Sequence, residues 1–323
     1  MIQDYSLEPL RKICFNLKKN TGQRWYSQTH LYRTSDDAPG KIIYDVLMNE
    51  KPAMITRFGT SELHIILNYL SRNKPLYTKL RDYLLGYYPE FWWGKYAKND
   101  IYQNSGFFSN DEDNLEKFAQ LYLRAIPNID ILLTWLVGEK HLKQHFNHKF
   151  LKTYLYDCEP YFETDFPWTQ ALENKKVLVI HPFEESIKFQ YQKRRLLFTD
   201  QRVLPDFELS TIKSLQTIKG NQIFFDNWFE ALEQMKEKID EKDFDIALIA
   251  AGAYGLPLSA HVKSLGKKGV HLGGFLQQMF GIRGRRWDGC AFHSPFVNEH
   301  WKYPYESEYP KSYEKLDRGS YWK

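Results

Sequence analysis

DIALIAAGAYGLPLSAHVKSLGKKGVHLGGFLQQMFGIRGRR, residues Asp245–Arg286, decides the fold. Ile246–Ala250 is an apolar run with no polar face, the pattern of a strand buried on both sides of a sheet. Gly252 and Gly255 bracket a turn, and Pro257 suits the first turn of a helix. Leu258, Val262 and Leu265 then recur at i, i+4 and i+7, one apolar stripe. Gly266 and Gly269 are expected to stop that helix, Val270–Leu272 to form a second strand, and Gly273-Gly274 to open another turn before Phe275–Phe280. The unit is β-α-β with glycine at the carboxyl end of each strand. In an open α/β sheet those ends bind ligands. Glycine lets backbone N–H groups approach an anion there, and a helix N-terminus adds partial positive charge. Gly252, Ala253, Tyr254, Gly255, Gly273 and Gly274 are therefore candidate phosphate-binding positions. The spacing is neither GxGxxG nor a P-loop, so the same glycines serve equally as turn and packing residues.

Outward from this unit, other apolar runs end in polar or glycine turns. Ala53–Arg57 runs into Phe58-Gly59-Thr60-Ser61-Glu62 and a helix over Ser61–Ser71, with Thr60 or Ser61 as N-cap. Lys176–Ile180 runs into His181-Pro182 and a polar helix over Phe183–Arg195. Ile129–Val137, Phe150–Tyr156 and Glu208–Ser214 are further strand candidates, and Trp228–Ile239 is an amphipathic helix. The fold class expected is α/β, a mostly parallel Rossmann-like sheet with helices on both faces. The turns after Thr56, Ile180 and Ala251 then converge on one rim if their strands are parallel neighbours. An N-terminal helix and polar arm (1–38) precede this α/β domain (39–286), and an aromatic, proline-rich tail (287–323) follows it. That tail reads as a segment wrapping the body, or as a lid.

Composition narrows the function. The net charge of +4 comes with both signs abundant, and no basic stripe with interleaved aromatics stands out, so nucleic acid is not an expected partner. The small excess permits attraction to anionic substrates or to an anionic membrane surface. Cys14, Cys158 and Cys290 give no metal spacing and suit a reducing compartment. The first residues carry charges throughout and no stretch reaches the roughly 18 apolar residues of a membrane span, so a cytoplasmic protein is expected. No GxSxG, HExxH or Cys/His cluster is present.

Candidate chemistry follows from position. Arg57 can grip a phosphate with two parallel bonds. Glu62, in a first helical turn, can act as base, hold a divalent cation, or simply complement the helix dipole. His181 can donate to a phosphate or relay a proton. Gln190 and Lys193–Arg195 form a charged stretch, and Arg283, Arg285 and Arg286 lie among glycines where they can clamp a pyrophosphate or present a basic surface to a lipid-linked acceptor. Trp287, Trp301, Tyr321 and Trp322 can stack on a base or a sugar.

ITRFGTSEL (Ile55–Leu63) resembles the Arg-Phe/Tyr-Gly-Asp-Gly-Glu turn of the GT-D-fold glycosyltransferases of bacterial surface-glycan assembly. Leu248–Gly274 resembles that family's second signature, and VLVIHPF (Val177–Phe183) and Gly319-Ser320-Tyr321-Trp322 look like related proteins of capsule or O-antigen loci. The resemblance implies transfer of a sugar from a nucleotide-diphosphate sugar to a growing, lipid-linked glycan at the cytoplasmic membrane face. It implies Arg57, Glu62 and His181 as catalytic groups. Gly59, Thr60, the Gly252–Gly255 and Gly273-Gly274 turns and Arg283 would hold the donor. Thr60 stands where the family has Asp. An Mn²⁺ or Mg²⁺ ion would then rest on Glu62 and the diphosphate, or the reaction would proceed without metal, with Glu62 as base. Two alternatives stay open: an NAD(P)-dependent Rossmann oxidoreductase and a non-catalytic nucleotide- or glycan-binding assembly protein.

Overall fold

The computed structural model describes residues 7–17, 24–27, 38–147, 149–162, 165–221, 224–291, 293–311, 313–315 and 319–323. Its strands are β1 (Ala53–Thr56), β2 (Ile131–Thr134), β3 (Leu151–Tyr154), β4 (Lys176–His181), β5 (Glu208–Lys213), β6 (Ile246–Ile249) and β7 (Lys268–His271). Helices α1 (Glu8–Leu17), α2 (Pro39–Met48), α3 (Thr60–Arg72), α4 (Leu76–Leu84), α5 (Lys95–Asp100), α6 (Glu112–Ala125), α7 (Glu184–Gln192), α8 (Trp228–Asp240), α9 (Gly255–Ser264) and α10 (Leu276–Met279) complete the main elements. Much of the expected N-terminal arm lies outside the described residues. No described helix is long and apolar enough to cross a membrane.

The seven strands form one parallel sheet in the order β3-β2-β1-β7-β6-β4-β5. Alternate residues of each strand point to opposite faces, so a strand covered on both sides must be apolar at every position. Met54, Leu178, Ile180, Ala247 and Ile249 pack on one face, with α3, α6, α8 and α9. Ile55, Val177, Val179, Ile246 and Leu248 pack on the other, with α2, α7, α10 and the tail residues Trp301 and Trp322. The architecture is thus the Rossmann-like α/β sheet expected from the strand pattern.

Strand adjacency corrects one expectation. β1 is not a neighbour of β6: β7 lies between them, pairing Ile55 with Val270 on one side and Leu248 with Val270 on the other. The chain leaves β1 toward β2 and β3, and reaches β7 from β6 on the opposite side. The order in which the chain lays down strands reverses between β1 and β7, and a crevice opens there beyond the carboxyl ends of the strands.

Gly269 is a second correction, because it lies inside β7 instead of ending the preceding helix. A Cβ there would meet the Ser259 carbonyl oxygen at 2.8 Å, so glycine lets α9 lie directly on the strand. Pro257 is the third residue of α9, still in the first turn where its missing N–H is tolerated. The tail binds the body by main-chain bonds: Arg285 N–H donates to Trp322 O at 2.9 Å and Arg286 N–H to Ser320 O at 2.9 Å.

Candidate functional site

The carboxyl ends of β1, β4, β6 and β7 open into one cleft of about 1300 Å³. β1 supplies Arg57 and Gly59, β4 supplies His181 and Pro182, β6 supplies Ala250–Gly252, and β7 supplies His271 and the Gly273-Gly274 turn. Tyr321 and Trp322 of the tail form part of the wall, so the wrapping segment also shapes the cleft.

Glu62 is buried to 6% exposure at the inner end of this cleft. The N-cap of its helix is Gly59, not Thr60 or Ser61, and no side chain caps it. The Glu62 carboxyl folds back over Gly59: a Cβ on Gly59 would stand 1.8 Å from Oε2. The carboxyl accepts from its own backbone N–H and from Ser105, while Asp100 adds negative charge nearby. Burial raises its pKa, and the Arg57 guanidinium opposes the rise without cancelling it. The result is a carboxyl shifted toward neutrality, the property required of a general base. Ser105 reaches it from a π-helical turn, Ile101–Ser105, that packs on the β6 turn. Gly252 has φ +52°, and a Cβ there would stand 2.8 Å from Ser105 O.

Gly59→Ala is therefore a selective perturbation. Gly59 has ordinary extended backbone (φ −81°, ψ 156°), so alanine fits the main chain and only the flexible Glu62 side chain must move. The expected outcome is a change in Tm of no more than about 2–4 °C, on the order of 1 kcal/mol, with any activity that depends on Glu62 reduced at least tenfold. Thermal unfolding and turnover measured side by side check it.

Arg57 is held from three sides. Its Nε donates to Phe58 O at 3.1 Å, and its guanidinium lies 5.2 Å from the centre of the Trp135 ring. Trp135 Nε1 donates to the same Phe58 oxygen at 2.8 Å. A Cβ at Gly273, which has φ +70°, would stand 2.6 Å from Arg57 Nη1, so glycine is required there both for the backbone and for the arginine. Trp135 in turn rests on Glu139, a buried carboxyl that accepts from Thr134 Oγ1 and from the N–H groups of Trp135 and Leu136. Burial pushes Glu139 up to about 7 against those hydrogen bonds.

Two buried imidazoles line the cleft, and His271 lies within reach of the Arg57 charge. His181 Nδ1 accepts from Phe183 N–H at 2.9 Å, which places the ring proton on Nε2. Burial lowers its pKa to about 3, so the ring is neutral and offers an uncharged donor. His271 Nδ1 lies 3.0 Å from Thr56 Oγ1, and burial, with the Arg57 charge, lowers it to about 3 as well. Gly255 backs this ring: a Cβ there would stand 2.2 Å from His271 Nε2.

Several sequence-derived candidates sit elsewhere. Arg283 does not line the cleft: it pairs with Asp288, at 3.2 Å from Nε and 3.1 Å from Nη2, and lies over Tyr303. Arg286 is the arginine of that group on the cleft wall, where its Nη1 donates to Tyr321 OH at 3.1 Å. Gly255 and Ala253 lie behind the wall, with Ala253 O accepting from Tyr122 OH at 2.6 Å. Gly59, Thr60, Gly252, Tyr254, Gly273 and Gly274 do line it. Arg194 and Arg195 pair with Asp206, and Gln190 Nε2 donates to Gly281 O and His300 O, so that stretch serves structure. The N-terminus of α7 is filled by Glu308 from the tail, which accepts from Glu185 N–H at 2.8 Å and from Ser186. It is not open to an external anion.

The donors around Glu62 do not fit a divalent cation. Glu62, a carboxyl shifted toward its neutral form, stands beside a guanidinium; Asp100 also lines the cleft, and Thr60 offers only a weak hydroxyl ligand. Among the described residues there is no group of three His, Cys, Asp or Glu side chains placed to hold a metal ion. Arg57 is the cation whose charge acts on both Glu62 and His271.

Sequence reasoning passed over Ser105, Trp135, Glu139 and His271. His271 had a signal, since GVHLGG ends a strand in histidine just as VLVIHPF does. The others lie far from Glu62 in sequence and carry no local mark. Comparisons of the chain with family models, with curated proteins and with solved structures gave no match.

Proposed function

We propose that the cleft binds a nucleotide-diphosphate sugar and transfers its sugar to a hydroxyl of a glycan. The observation that carries this reading is the pairing of a buried carboxyl of raised pKa with Arg57 at one strand-to-helix turn, facing the glycine turns of β6 and β7. Transfer to a hydroxyl needs a base near neutral pH and fixed positive charge for a departing diphosphate. Glu62 supplies the first, and Arg57 with the His181 Nε2–H supplies the second. In a single displacement the acceptor oxygen bonds the anomeric carbon as the bond from that carbon to the diphosphate oxygen breaks. The electron pair leaves with the nucleoside diphosphate, and the acceptor proton passes to Glu62. No step calls on a metal. Action on a lipid-linked glycan at an inner membrane face is the finer form of the same proposal, favoured by the resemblance of Ile55–Leu63 and Leu248–Gly274.

An NAD(P) oxidoreductase fits less well, because the turn after β1 presents a guanidinium and a folded-back carboxyl where a dinucleotide fold presents bare glycine backbone. Thermal unfolding against nucleoside diphosphates, nucleotide sugars and NAD(P), each with and without EDTA, separates the readings. At about 100 times Kd a ligand adds about 2.7 kcal/mol, a rise of several degrees in Tm. One nucleoside-diphosphate family is expected to give that rise, to keep it in EDTA and to lose it in Arg57→Ala. A rise with NAD(P) alone would overturn the proposal. Donor binding with no turnover across a broad acceptor panel would favour a binding protein.

A further inference from the structure

The cleft extends well beyond Glu62 and Arg57. Its outer half runs along α3 and the segment 89–96, and holds His64, Glu90, Trp92, Gly94, Tyr96 and Trp25. Glu90 is fixed in place: its Oε2 receives His64 Nε2 at 2.7 Å and Asn68 Nδ2 at 2.9 Å, and its backbone N–H donates to Asn68 Oδ1 at 2.8 Å. Burial would raise this carboxyl, but the bonds from His64 and Asn68 outweigh it and hold the group below the usual range. Both side-chain bonds fall on one oxygen. Among the described residues Oε1 has no hydrogen-bond partner, although Glu90 lines the cleft.

A second unsatisfied group lies beside it. Trp92 Nε1 is buried and has no acceptor among the described residues. The two meet at Gly94, where a Cβ would stand 3.2 Å from Trp92 Nε1 and 3.6 Å from the Glu90 carboxyl carbon. Trp92 Nε1 is itself sealed from solvent, so the group open to a ligand here is Glu90 Oε1. A fixed carboxylate oxygen takes a hydrogen-bond donor, and an alcohol hydroxyl is one. The surroundings suit the carbon skeleton that carries it. His64 lies between Trp25, at 5.0 Å between ring centres, and Tyr96, at 5.9 Å, both tilted to it, and Tyr96 is 69% exposed, an open aromatic face beside the site. Aromatic faces next to a fixed carboxylate combine an apolar surface with directional polar anchoring.

We infer that the outer half of the cleft is a saccharide subsite, in which a sugar hydroxyl donates to Glu90 Oε1 beside Gly94, with the ring against Tyr96. As a binding site it stands on this geometry alone. Its role as the acceptor site, delivering a hydroxyl toward Glu62, rests on the transfer reading.

Gly94→Ala is the sharpest probe. Gly94 has φ −67° and ψ 153°, open to any residue, so alanine leaves the backbone alone and narrows the space over the Glu90 carboxyl, whose carbon would lie 3.6 Å from the new Cβ. Glu90→Gln is the second variant. The full chain is applied to a printed glycan array, and the affinity of the best-bound glycan is measured by calorimetry. The expected result is binding by wild type to a subset of glycans, weakened at least tenfold in Gly94→Ala and in Glu90→Gln, with the Tm rise given by a nucleoside diphosphate kept in Gly94→Ala. No glycan bound by wild type, or equal affinity in Gly94→Ala, would overturn the inference. Glycan binding lost in Gly94→Ala while no nucleotide shifts wild type would sink the transfer reading and leave the saccharide subsite standing.

Discussion

Glu62→Gln is expected to lower sugar transfer by about 10²–10⁴-fold, the range for loss of a general base, while leaving the nucleotide-induced rise in Tm within a degree or two of wild type. Glutamine keeps the size of the side chain and an oxygen for the bonds from Ser105 and from the residue's own N–H. It removes only the ability to take a proton. The protein should not be weakened. The raised pKa means that the ionised carboxyl is disfavoured in the folded state, so the neutral amide relieves a penalty at pH 8. The pH profile gives an independent check. The wild-type rate should rise with pH as Glu62 ionises, at a pH above the ordinary carboxylate value of 4.5, and this limb should vanish in the residual activity of the variant. Arg57→Lys should behave differently, losing donor affinity and rate together, because lysine cannot reproduce the two parallel bonds of a guanidinium or its stacking on Trp135. Turnover by Glu62→Gln within twofold of wild type would remove Glu62 from the chemistry. Loss of the nucleotide shift in that variant would make it a binding group instead.

The sheet was legible because buried parallel strands advertise themselves. Ile246–Ile249 and Val177–Ile180 are apolar at every position, and each is followed at once by a turn-forming residue. Strand order was not legible, since nothing local says that β7 separates β1 from β6. Gly269 was misread because glycine both ends helices and permits close packing, and only the approach of Ser259 O distinguishes the two. The N-cap was misread for a related reason. Serine and threonine are the better caps by propensity, but the Glu62 carboxyl occupies the space over Gly59 that any Cβ would need.

The site was legible in its strand ends and obscure in its supports. Arg57, Glu62 and His181 follow directly from position at the carboxyl ends of strands or in the next helical turn. Whether Arg283 or Arg286 faces the cleft depends on side-chain directions around Gly284, and those are set by Asp288 and Tyr321. Trp135 and Glu139 act on Arg57 from nearly 80 residues away through Phe58 O, a long-range relation that no local pattern encodes.

Acid is expected to unfold this protein in two stages, a shallow one from about pH 6.5 to 4.5 and a steeper one below. His181 and His271 have their pKa values lowered by burial to about 3, against about 6.5 in the unfolded chain. Below pH 6.5 the unfolded chain therefore binds two protons at these positions that the folded chain refuses, and a third at His141, which burial lowers to about 4. Stability is fully present above that pH and falls as pH drops toward 3, by up to about 1.4 kcal/mol per unit for each histidine. Glu139 acts in the opposite sense. Its carboxyl is raised to about 7, so between about 4.5 and 7 the folded state holds a proton that the unfolded state has released, and stability rises as pH falls. Glu62, also raised by burial, acts in the same sense. The two carboxyls offset part of the histidine slope until about pH 4.5, below which that slope emerges. Urea unfolding at pH 7.5, 6.5, 5.5, 4.5 and 3.5 measures these slopes directly. In Glu139→Gln the shallow stage should steepen by about one proton, with stability at pH 8 higher by on the order of 1–3 kcal/mol. In the double variant His181→Asn, His271→Asn the amide oxygens stand close to where each Nδ1 stood, so the bonds to Phe183 N–H and Thr56 Oγ1 are retained in kind. Most of the acid slope should then be lost even if absolute stability drops. An unchanged slope in the double variant would show that these rings accept protons in the folded state, and would place them in contact with water instead of sealed at the base of the cleft.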